Sequence, residues 1–377
     1  MAQTPHRWQQ IEAIYRAAQD SARIGPVVFA FLLVASVGAS AAQTAFAQTQ
    51  DKVFEFRNKP GARDLQEIAT MLRTLCDIRQ LSMRAAASTL TVRGTPDQLA
   101  LTSWLVHELD QPVTAQPSVP LAVTTPPPRQ FLVAGGSDDI IRVFHLVNTP
   151  PAPSQAIQEI LTTLRTVAGV EKVSDYTPLT DLVVRGSKAQ IALSEYLIKA
   201  VDVRSGSVTT SPEFQYTTSD GLDQSVRVFY LAHTSTAQGI LEILAALVTV
   251  ADIQKIFVVI PAGALAIRGS ASDIATSGWL IQALDIPATP ATSPSARVRE
   301  YHIPGTVSGG NVISVFYPDT TTRVQFRTLG LVRNKLQIRK AFSLISPPAL
   351  IVRGSPDQIA KARQLIQDGA GAAKTAR

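Results

Sequence analysis

Cysteine is almost absent from this chain of 377 residues, and charge is sparse. The sole cysteine, Cys76, excludes an intramolecular disulfide framework and a cysteine-based zinc site. Charged residues make up 17% of the sequence, and the formal net charge of +6 is scattered rather than collected in a basic block. Scattered cations argue only weakly for nucleic acid or anionic lipid as a partner. We therefore expect Cys76 to be a small buried helix residue, and we expect no nucleic-acid partner.

The motifs that would identify an enzyme are also missing. The sequence contains no G-x-S-x-G nucleophile turn and no phosphate loop of the P-loop type. His107, His145, His233 and His302 stand alone, without a second histidine, cysteine or carboxylate at a metal-ligand spacing. We expect no enzymatic activity, no catalytic residue, no cofactor and no bound metal.

The N-terminus carries an export signal. A polar segment containing Arg16 and Arg23 precedes an apolar run at 27–37, and small residues follow it. This order is typical of a secretory signal peptide. The run is short for a spanning helix, which needs about 20 apolar residues, but an uncleaved signal anchor ending near Ala47 is the alternative. With 1–47 assigned to the signal, we expect the rest in the periplasm or cell envelope, with membrane contact only through a retained anchor.

One motif occurs four times. It consists of an apolar residue, Arg, Gly, Ser or Thr, and then Gln or Asp three positions later, and its copies begin at Val92, Val184, Ile267 and Val352. The apolar residue and the Arg end a strand, and the Gly permits a turn. The Ser or Thr and the Gln have the spacing of a capping box at the start of a helix. Four copies in order indicate a repeat protein.

The spacing of apolar residues around the motif predicts a unit of about 60 residues with the order β-α-β-β-α. An alternating run opens each of the first three units and predicts that its phenylalanine points inward: Phe54, Phe144 and Phe229. A helical stripe follows, with a glutamate that we expect in the first turn, where the helix dipole favours a carboxylate: Glu67, Glu159 and Glu242. The second helix carries an aromatic residue that we expect in core or interdomain packing: Trp104, Tyr196 and Trp279. The fold class is therefore α+β, as tandem repeats of a small module.

The units occupy most of the chain beyond the signal. The predicted repeats are 51–111, 140–203, 225–286 and a divergent fourth at 298–369, and the predicted linkers are 112–139, 204–224 and 287–297. The first linker is rich in proline, and the other two are rich in small and polar residues. In the fourth repeat the first helix is expected near 321–332, without the repeated glutamate, and an extra extended run precedes it. We expect the linkers to let the units reorient and to keep a loss of stability within one unit.

These repeats resemble the periplasmic N-terminal domains of secretins, the outer-membrane channels of type II and type III secretion systems and of type IV pilus machines. The resemblance rests on the motif and on the end of the second helix, at Leu90–Gly94 with Leu105–Asp110 in the first unit and at the corresponding positions of the second and third. It implies a KH-like α+β fold, ring stacking of subunits and contact with cargo or inner-membrane components. Secretins continue into a Gly-rich channel region that has no counterpart here, so we do not expect the chain to form a pore by itself.

A three-stranded sheet with both helices on one face leaves its other face open, and the repeated arginine points to that side. There it could pair across strands with a residue such as Glu55. Structural or interdomain contact is the favoured role of the arginine over binding of phosphates or glycan carboxylates. The open faces give six candidate interaction residues: Glu55, Arg93, His145, Arg185, Tyr230 and Arg268.

The sequence thus predicts an exported, non-enzymatic interaction or scaffold protein of the cell envelope, associated with protein secretion or type IV pilus machinery. Its expected partners are further copies of itself or a secretin-like envelope component. The alternative is an envelope protein that uses the same modules to bind peptidoglycan or another polysaccharide.

The first testable prediction concerns export. Because two A-x-A sites follow the apolar run, we expect the mature protein to begin near Ala42 or Gln48. N-terminal sequencing of the protein from an envelope fraction measures this directly. An intact Met1 in that fraction would instead support the signal-anchor alternative.

Overall fold

Each copy of the repeated motif ends a strand in the interior of a small antiparallel sheet. These features come from a computed structural model, which describes residues 49–112, 129–133, 139–150, 154–204, 206, 210–218, 223–287, 298–304, 312–318 and 322–375. The export signal predicted for 1–47 lies outside the described residues. From Ala47 onward the chain forms one compact unit. Among the described residues, no helix combines the length and apolar character that a membrane crossing requires.

The first module has the predicted order β-α-β-β-α. Its elements are β1 (Gln50–Glu55), α1 (Ala62–Leu75), β2 (Gln80–Arg84), β3 (Thr89–Gly94) and α2 (Pro96–Leu109). The sheet order is β1-β3-β2, with all pairs antiparallel. Leu90 and Val92 point toward the two helices and are fully buried, as is Leu65 on α1.

The other modules repeat this order and add one strand at an edge of the sheet. Module 2 consists of β4 (Gln130–Leu132), β5 (Ile140–His145), α3 (Gln155–Thr163), β6 (Lys172–Tyr176), β7 (Asp181–Gly186) and α4 (Lys188–Val201). Module 3 consists of β8 (Phe214–Thr217), β9 (Asp223–Tyr230), α5 (Ala237–Val250), β10 (Lys255–Val259), β11 (Ala264–Gly269) and α6 (Ala271–Leu284). Module 4 consists of β12 (Val298–His302), β13 (Val312–Phe316), α7 (Thr322–Lys335), β14 (Ala341–Leu344), β15 (Ala349–Gly354) and α8 (Pro356–Thr375).

The added strands differ from the prediction in two modules. The extra run expected before the fourth repeat is β12, but β4 and β8 lie in stretches predicted to be linkers, 112–139 and 204–224. Both strands are only three or four residues long. Such short runs between proline-rich or polar segments give no usable periodicity, so the predicted three-stranded sheet holds only for the first module.

The capping boxes are confirmed. The Thr95 hydroxyl accepts a hydrogen bond from Gln98 N at 3.3 Å, and Gln98 Oε1 accepts one from Thr95 N at 2.9 Å. Ser187 and Gln190 make the same reciprocal pair. It recurs at the start of α6 and of α8. Each box satisfies backbone donors that would otherwise lack a partner at the start of the helix.

The second face of the sheet is covered in modules 2 to 4, and the expected open face is wrong there. Val183 lies between Leu182 and Val184 on β7, and all three are fully buried. Leu182 and Val184 belong to the core of module 2, whereas Val183 packs into the core of module 1. Modules 3 and 4 contribute to the preceding core in the same way. The layers therefore alternate, with each pair of helices between its own sheet and the sheet of the next module.

This layering also overturns the expectation that the units reorient on linkers. The covered sheet faces carry apolar side chains such as Ile141 and Val315, both fully buried. Separating two modules would expose these faces to water at a cost of roughly 25 cal/mol per Å² of apolar surface. The modules consequently share cores, and a loss of stability in one module spreads to its neighbours.

A capping-box substitution tests this sharing. Replacing Ser187 by Ala should lower the free energy of unfolding by about 1 kcal/mol, because Gln190 N loses its acceptor. Urea unfolding of the whole protein should show one transition shifted as a unit. Ser82→Ala, on an exposed strand position, is the control and should change little. A separate, early transition for module 2 alone would contradict the shared cores.

Candidate functional site: the module junctions

The repeated glutamate of the first helix contacts the next module. Its Oε2 accepts a hydrogen bond from a backbone N–H just after the second strand of that module. The pairs are Glu67 with Thr177 N at 3.2 Å, Glu159 with Ile260 N at 2.7 Å, and Glu242 with Ile345 N at 2.9 Å. The glutamates lie in the second turn of their helices rather than the predicted first turn. Their role is to satisfy a donor of the neighbouring module, not to interact with the dipole of their own helix.

Burial of this contact is deepest at the junction of modules 2 and 3. Glu159 is 8% exposed and also accepts from Gln155 Nε2 at 2.6 Å. Burial raises the pKa of the Glu159 carboxyl, although the hydrogen bonds from Gln155 and Ile260 N oppose the rise. The carboxylate is thus enclosed by donors from both modules.

The repeated arginine contacts the module before it. Arg185 Nη1 donates to the Leu75 carbonyl at the end of α1 and to Asp77 Oδ2 at 2.9 Å. Arg353 Nη1 donates in the same way to the Val250 carbonyl at 3.0 Å and to Asp252 at 3.0 Å. A cation at the C-terminal end of a helix satisfies carbonyls that have no partner within the helix and is favoured by the helix dipole. This confirms structural, interdomain contact for these two arginines.

A lysine at the start of the second strand strengthens two of these contacts. Lys172 pairs with Asp77 at 2.7 Å, and Lys340 pairs with Asp252. At the junction of modules 2 and 3 the place of the aspartate is taken by Gly169, which has a left-handed φ of 68°. There Arg268 lies beside Gly169 and over the ring of Tyr216, 5.3 Å from its centroid.

The aromatic residue of the second helix in modules 1 to 3 contacts an aromatic ring on the added strand of the next module. The ring pairs are Trp104 with Phe131 at 5.7 Å, Tyr196 with Phe214 at 5.1 Å, and Trp279 with Tyr301 at 5.1 Å between centroids. The prediction of core or interdomain packing is confirmed, and the partner strands explain why each sheet after the first has four strands. Offset aromatic pairs of this kind contribute roughly 1 kcal/mol beyond their buried area.

The aspartate that closes each second helix binds within its own module. Asp110 accepts from Arg57 N at 2.8 Å and Asn58 N at 3.0 Å. Asp202 and Asp285 accept equivalent backbone donors after the first strand of their modules. These aspartates fasten the turn between the first strand and first helix, so they are not available as a catalytic group.

A buried ionic cluster lies at the junction of modules 1 and 2. Asp181 is 1% exposed and accepts from His145 Nδ1 at 2.8 Å and from Arg129 Nη1 at 3.0 Å. Arg129 Nε also pairs with Glu108 of module 1 at 2.6 Å. The hydrogen bond to Asp181 raises the pKa of His145, and burial opposes the rise.

Comparisons with known proteins concern the fold. No protein-family model matches the sequence, and no curated protein matches it. Among solved structures, the chain is similar to a dimeric cysteine mutant of the N-terminal domain of the secretin XcpQ from Pseudomonas aeruginosa, with 13% identity, 41% of this chain and 63% of that chain covered, and a TM-score of 0.17. It is also similar to the type II secretion system secretin GspD of E. coli K12, with 18% identity, 64% and 40% covered, and a TM-score of 0.15. The modules have an α+β fold.

The same comparison includes an unrelated enzyme. Aspartate kinase from Synechocystis matches with 11% identity over 87% of this chain and 55% of its own, at a TM-score of 0.17. All three TM-scores are low. The chain spans 63% and 40% of the two secretin chains, so no activity or partner of this protein follows from these matches.

The six candidate interaction residues divide between the surface and the junctions of the modules. Glu55 is exposed, and the side chains of Arg93 and His145 are 53% and 54% exposed. The remaining three contact the preceding module: Arg185 as described, Arg268 beside Gly169, and Tyr230 through a hydrogen bond from its hydroxyl to the Ala200 carbonyl at 2.8 Å. Arg93 pairs across strands with a carboxylate of β1 as expected, but the strand register makes that residue Asp51 rather than Glu55.

Neither the cysteine nor the pocket provides a reactive group. Cys76 is buried, as predicted, and burial raises the pKa of its thiol to about 12. A pocket of 370 Å³ in module 3 is lined by two carboxylates, Asp252 and Asp273. Asp273 accepts from Ser270 N in the capping box, and Asp252 pairs with Arg353. Within the described residues, no group of three or more potential ligands could bind a metal.

The repeated arginine offers a matched test of the junctions. The side chain of Arg185 is 12% exposed and that of Arg93 is 53% exposed. Arg185→Glu should lower the free energy of unfolding by roughly 3 kcal/mol or more, because it places an anion beside Asp77 and Asp139 in a largely buried site. Arg93→Glu, at the same motif position, should cost under about 1 kcal/mol. Equal losses in denaturant unfolding would contradict the assignment of Arg185 to the junction.

Proposed function

We propose that this protein is an exported, non-enzymatic scaffold of the cell envelope that associates with protein secretion or type IV pilus machinery. The observation that carries the proposal is the reuse of the glutamate and aromatic contacts at three junctions and of the arginine contact at two. The repeated glutamate, arginine and aromatic residues order four modules in series and present the remaining surfaces at fixed places. A chain whose repeated polar residues serve its own architecture is suited to positioning partners rather than to converting a substrate.

The motif resemblance to secretin N-terminal domains supports the choice of machinery, and the signal predicted from the sequence of 1–47 supports export. The exposed outer face of the first sheet, with Glu55 and Arg93, is the part of the predicted interaction surface that a partner could reach. Partners on this face would be further copies of the chain or a secretin-like component. Reversing Arg93, Arg185 and Arg268 together would not isolate such binding, because the last two contact the preceding module.

Affinity capture from an envelope extract tests the proposal. The tagged protein should enrich a secretin or an inner-membrane component of a secretion or pilus system over a bare-resin control, as measured by mass spectrometry. Cosedimentation with insoluble peptidoglycan, in parallel, tests the polysaccharide alternative and should leave the protein in the supernatant. Binding to peptidoglycan without enrichment of any secretion or pilus component would overturn the proposal.

A further inference from the structure

The helical layer of module 4 has an outer face with no module on it among the described residues. We call this the terminal face. Its residues occupy the same positions, counted from the repeated arginine, as the residues of modules 1 to 3 that pack against the sheet of the next module. Its residues on α7 and α8 are Val324, Arg327, Leu331, Lys335, Lys361 and Gln364.

The residues of the terminal face differ in a consistent direction from those at the inner junctions. Arg327 occupies the position of Glu242, and Lys335 occupies that of the buried Val250. On the second helix, Lys361 stands in place of the buried Thr276. Gln364 stands where modules 1 to 3 have the stacking aromatic residue. Relative to module 3, the terminal face therefore has cations in place of a glutamate acceptor, a buried valine and a buried threonine.

These cations are accessible. Arg327, Lys335 and Lys361 are all exposed, and within the part of the chain that the structure describes no ion pair involves them. The sequence of α7 contains four cations and no carboxylate. On this side of α8 the carboxylates are Asp357 and Asp368, one toward each end of the face. The α7 side of the terminal face is therefore the positively charged part.

Polarity is expected on any face of a repeat that no module covers, but a helix whose charged residues are all cations, as in α7, is not. The outer face of the first sheet, at the other end, carries both signs. Asp51 and Glu55 lie there with Arg84 and Arg93, and Arg93 pairs with Asp51 at 3.7 Å. Solubility alone accounts for that mixed surface, but it does not account for the cations of the terminal face.

A second copy of the chain is a poor occupant. If its first sheet took the place of a following module, the inner junctions show which groups would meet. Arg327 would lie where Glu242 meets the turn after the second strand, beside Arg84 of that copy. Lys335 would lie where the end of α5 meets Arg353, beside Arg93. Both contacts would bring two cations together, and their repulsion opposes head-to-tail association of two copies.

We infer that the terminal face of module 4 is a docking surface for an acidic protein, which deepens the proposed scaffold function and rests on it. Arg327 can only donate, so the partner must supply carboxylates where an inner module supplies a backbone N–H. Val324 and Leu331 are half-buried among the cations and supply a small apolar centre. A protein surface suits the face better than a bilayer does, because the equivalent faces of modules 1 to 3 bind a protein sheet.

Binding of fluorescently labelled poly-L-glutamate to the purified protein, followed by anisotropy, tests this inference. Changing Arg327, Lys335 and Lys361 together to Glu should weaken binding about tenfold or more, because complementary charge becomes repulsion. The matched control changes Arg57, Arg73 and Arg79, all exposed in module 1, to Glu. It alters net charge equally and should change affinity by less than about twofold. A triple change of the terminal residues to Gln, with a smaller loss, replaces the Glu variant if that variant does not fold.

Three outcomes would overturn the inference. The unaltered protein does not bind poly-L-glutamate, both triple variants lose binding equally, or the terminal face binds phosphatidylglycerol vesicles and not poly-L-glutamate. The affinity capture described above separates this from the proposed function. If the terminal-face variant still captures secretion components, the scaffold function stands and the terminal face is not their site. If the unaltered protein captures no secretion component, the proposed scaffold function is wrong, regardless of the binding measured with poly-L-glutamate.

Discussion

The structure depends on the burial of both faces of three sheets. Strands such as β7, with Leu182, Val183 and Val184 in succession, cannot expose either side to water without large apolar losses. The helices of the preceding module are the only described layer that covers the second side. The stack of modules is therefore a condition of folding for modules 2 to 4, and the polar junction contacts act on an arrangement that apolar burial has already determined.

The polar contacts at the junctions satisfy the backbone groups that such burial removes from water. Stacking sheets on helices removes water from helix ends and from the turns after the second strands. Backbone groups there need partners, since an unpaired buried donor or acceptor costs roughly 1 to 3 kcal/mol. The glutamate supplies an acceptor to a turn N–H of the following module, and the arginine supplies donors to helix-end carbonyls of the preceding one. The two residues point in opposite directions along the chain, so module 2, with Glu159 and Arg185, is fastened on both sides.

Much of this fold could be predicted from the sequence. The capping boxes, the two helices per module and the burial of Phe54 and Phe144 follow from local spacing, which fixes local structure. The stacking was missed although a signal was present. Thr91 alternates with Leu90 and Val92 in the first module, whereas Leu182–Val184 is continuously apolar, and a continuous run indicates a strand covered on both faces.

The partners of Glu67 and Arg185 could not be predicted in the same way. Both residues bond to backbone groups about 110 positions away, a donor for Glu67 and an acceptor for Arg185, and a backbone group leaves no mark on the sequence. The short strands β4 and β8 were missed for a related reason, because the neighbouring module stabilises them through Trp104 and Tyr196. Only the absence of the repeated glutamate from the fourth unit was visible beforehand, as a divergence without an evident cause.

Because the cores are shared, the unit that folds cooperatively does not coincide with one sequence repeat. It is displaced from the repeat by half its length. Each core joins the helices of one module to the sheets of two, so a fragment cut at a linker keeps its helices but loses one of the sheets that cover them. Duplication of a module within the gene is subject to the same requirement, namely that both faces of each inner sheet are covered. A copied interior module brings both a sheet face and a helix face and could lengthen the series, whereas a copy of the first or fourth module would insert a polar layer and end it. Among the four described modules, modules 2 and 3 are in this sense the interchangeable ones, and duplication of either would lengthen the series from within.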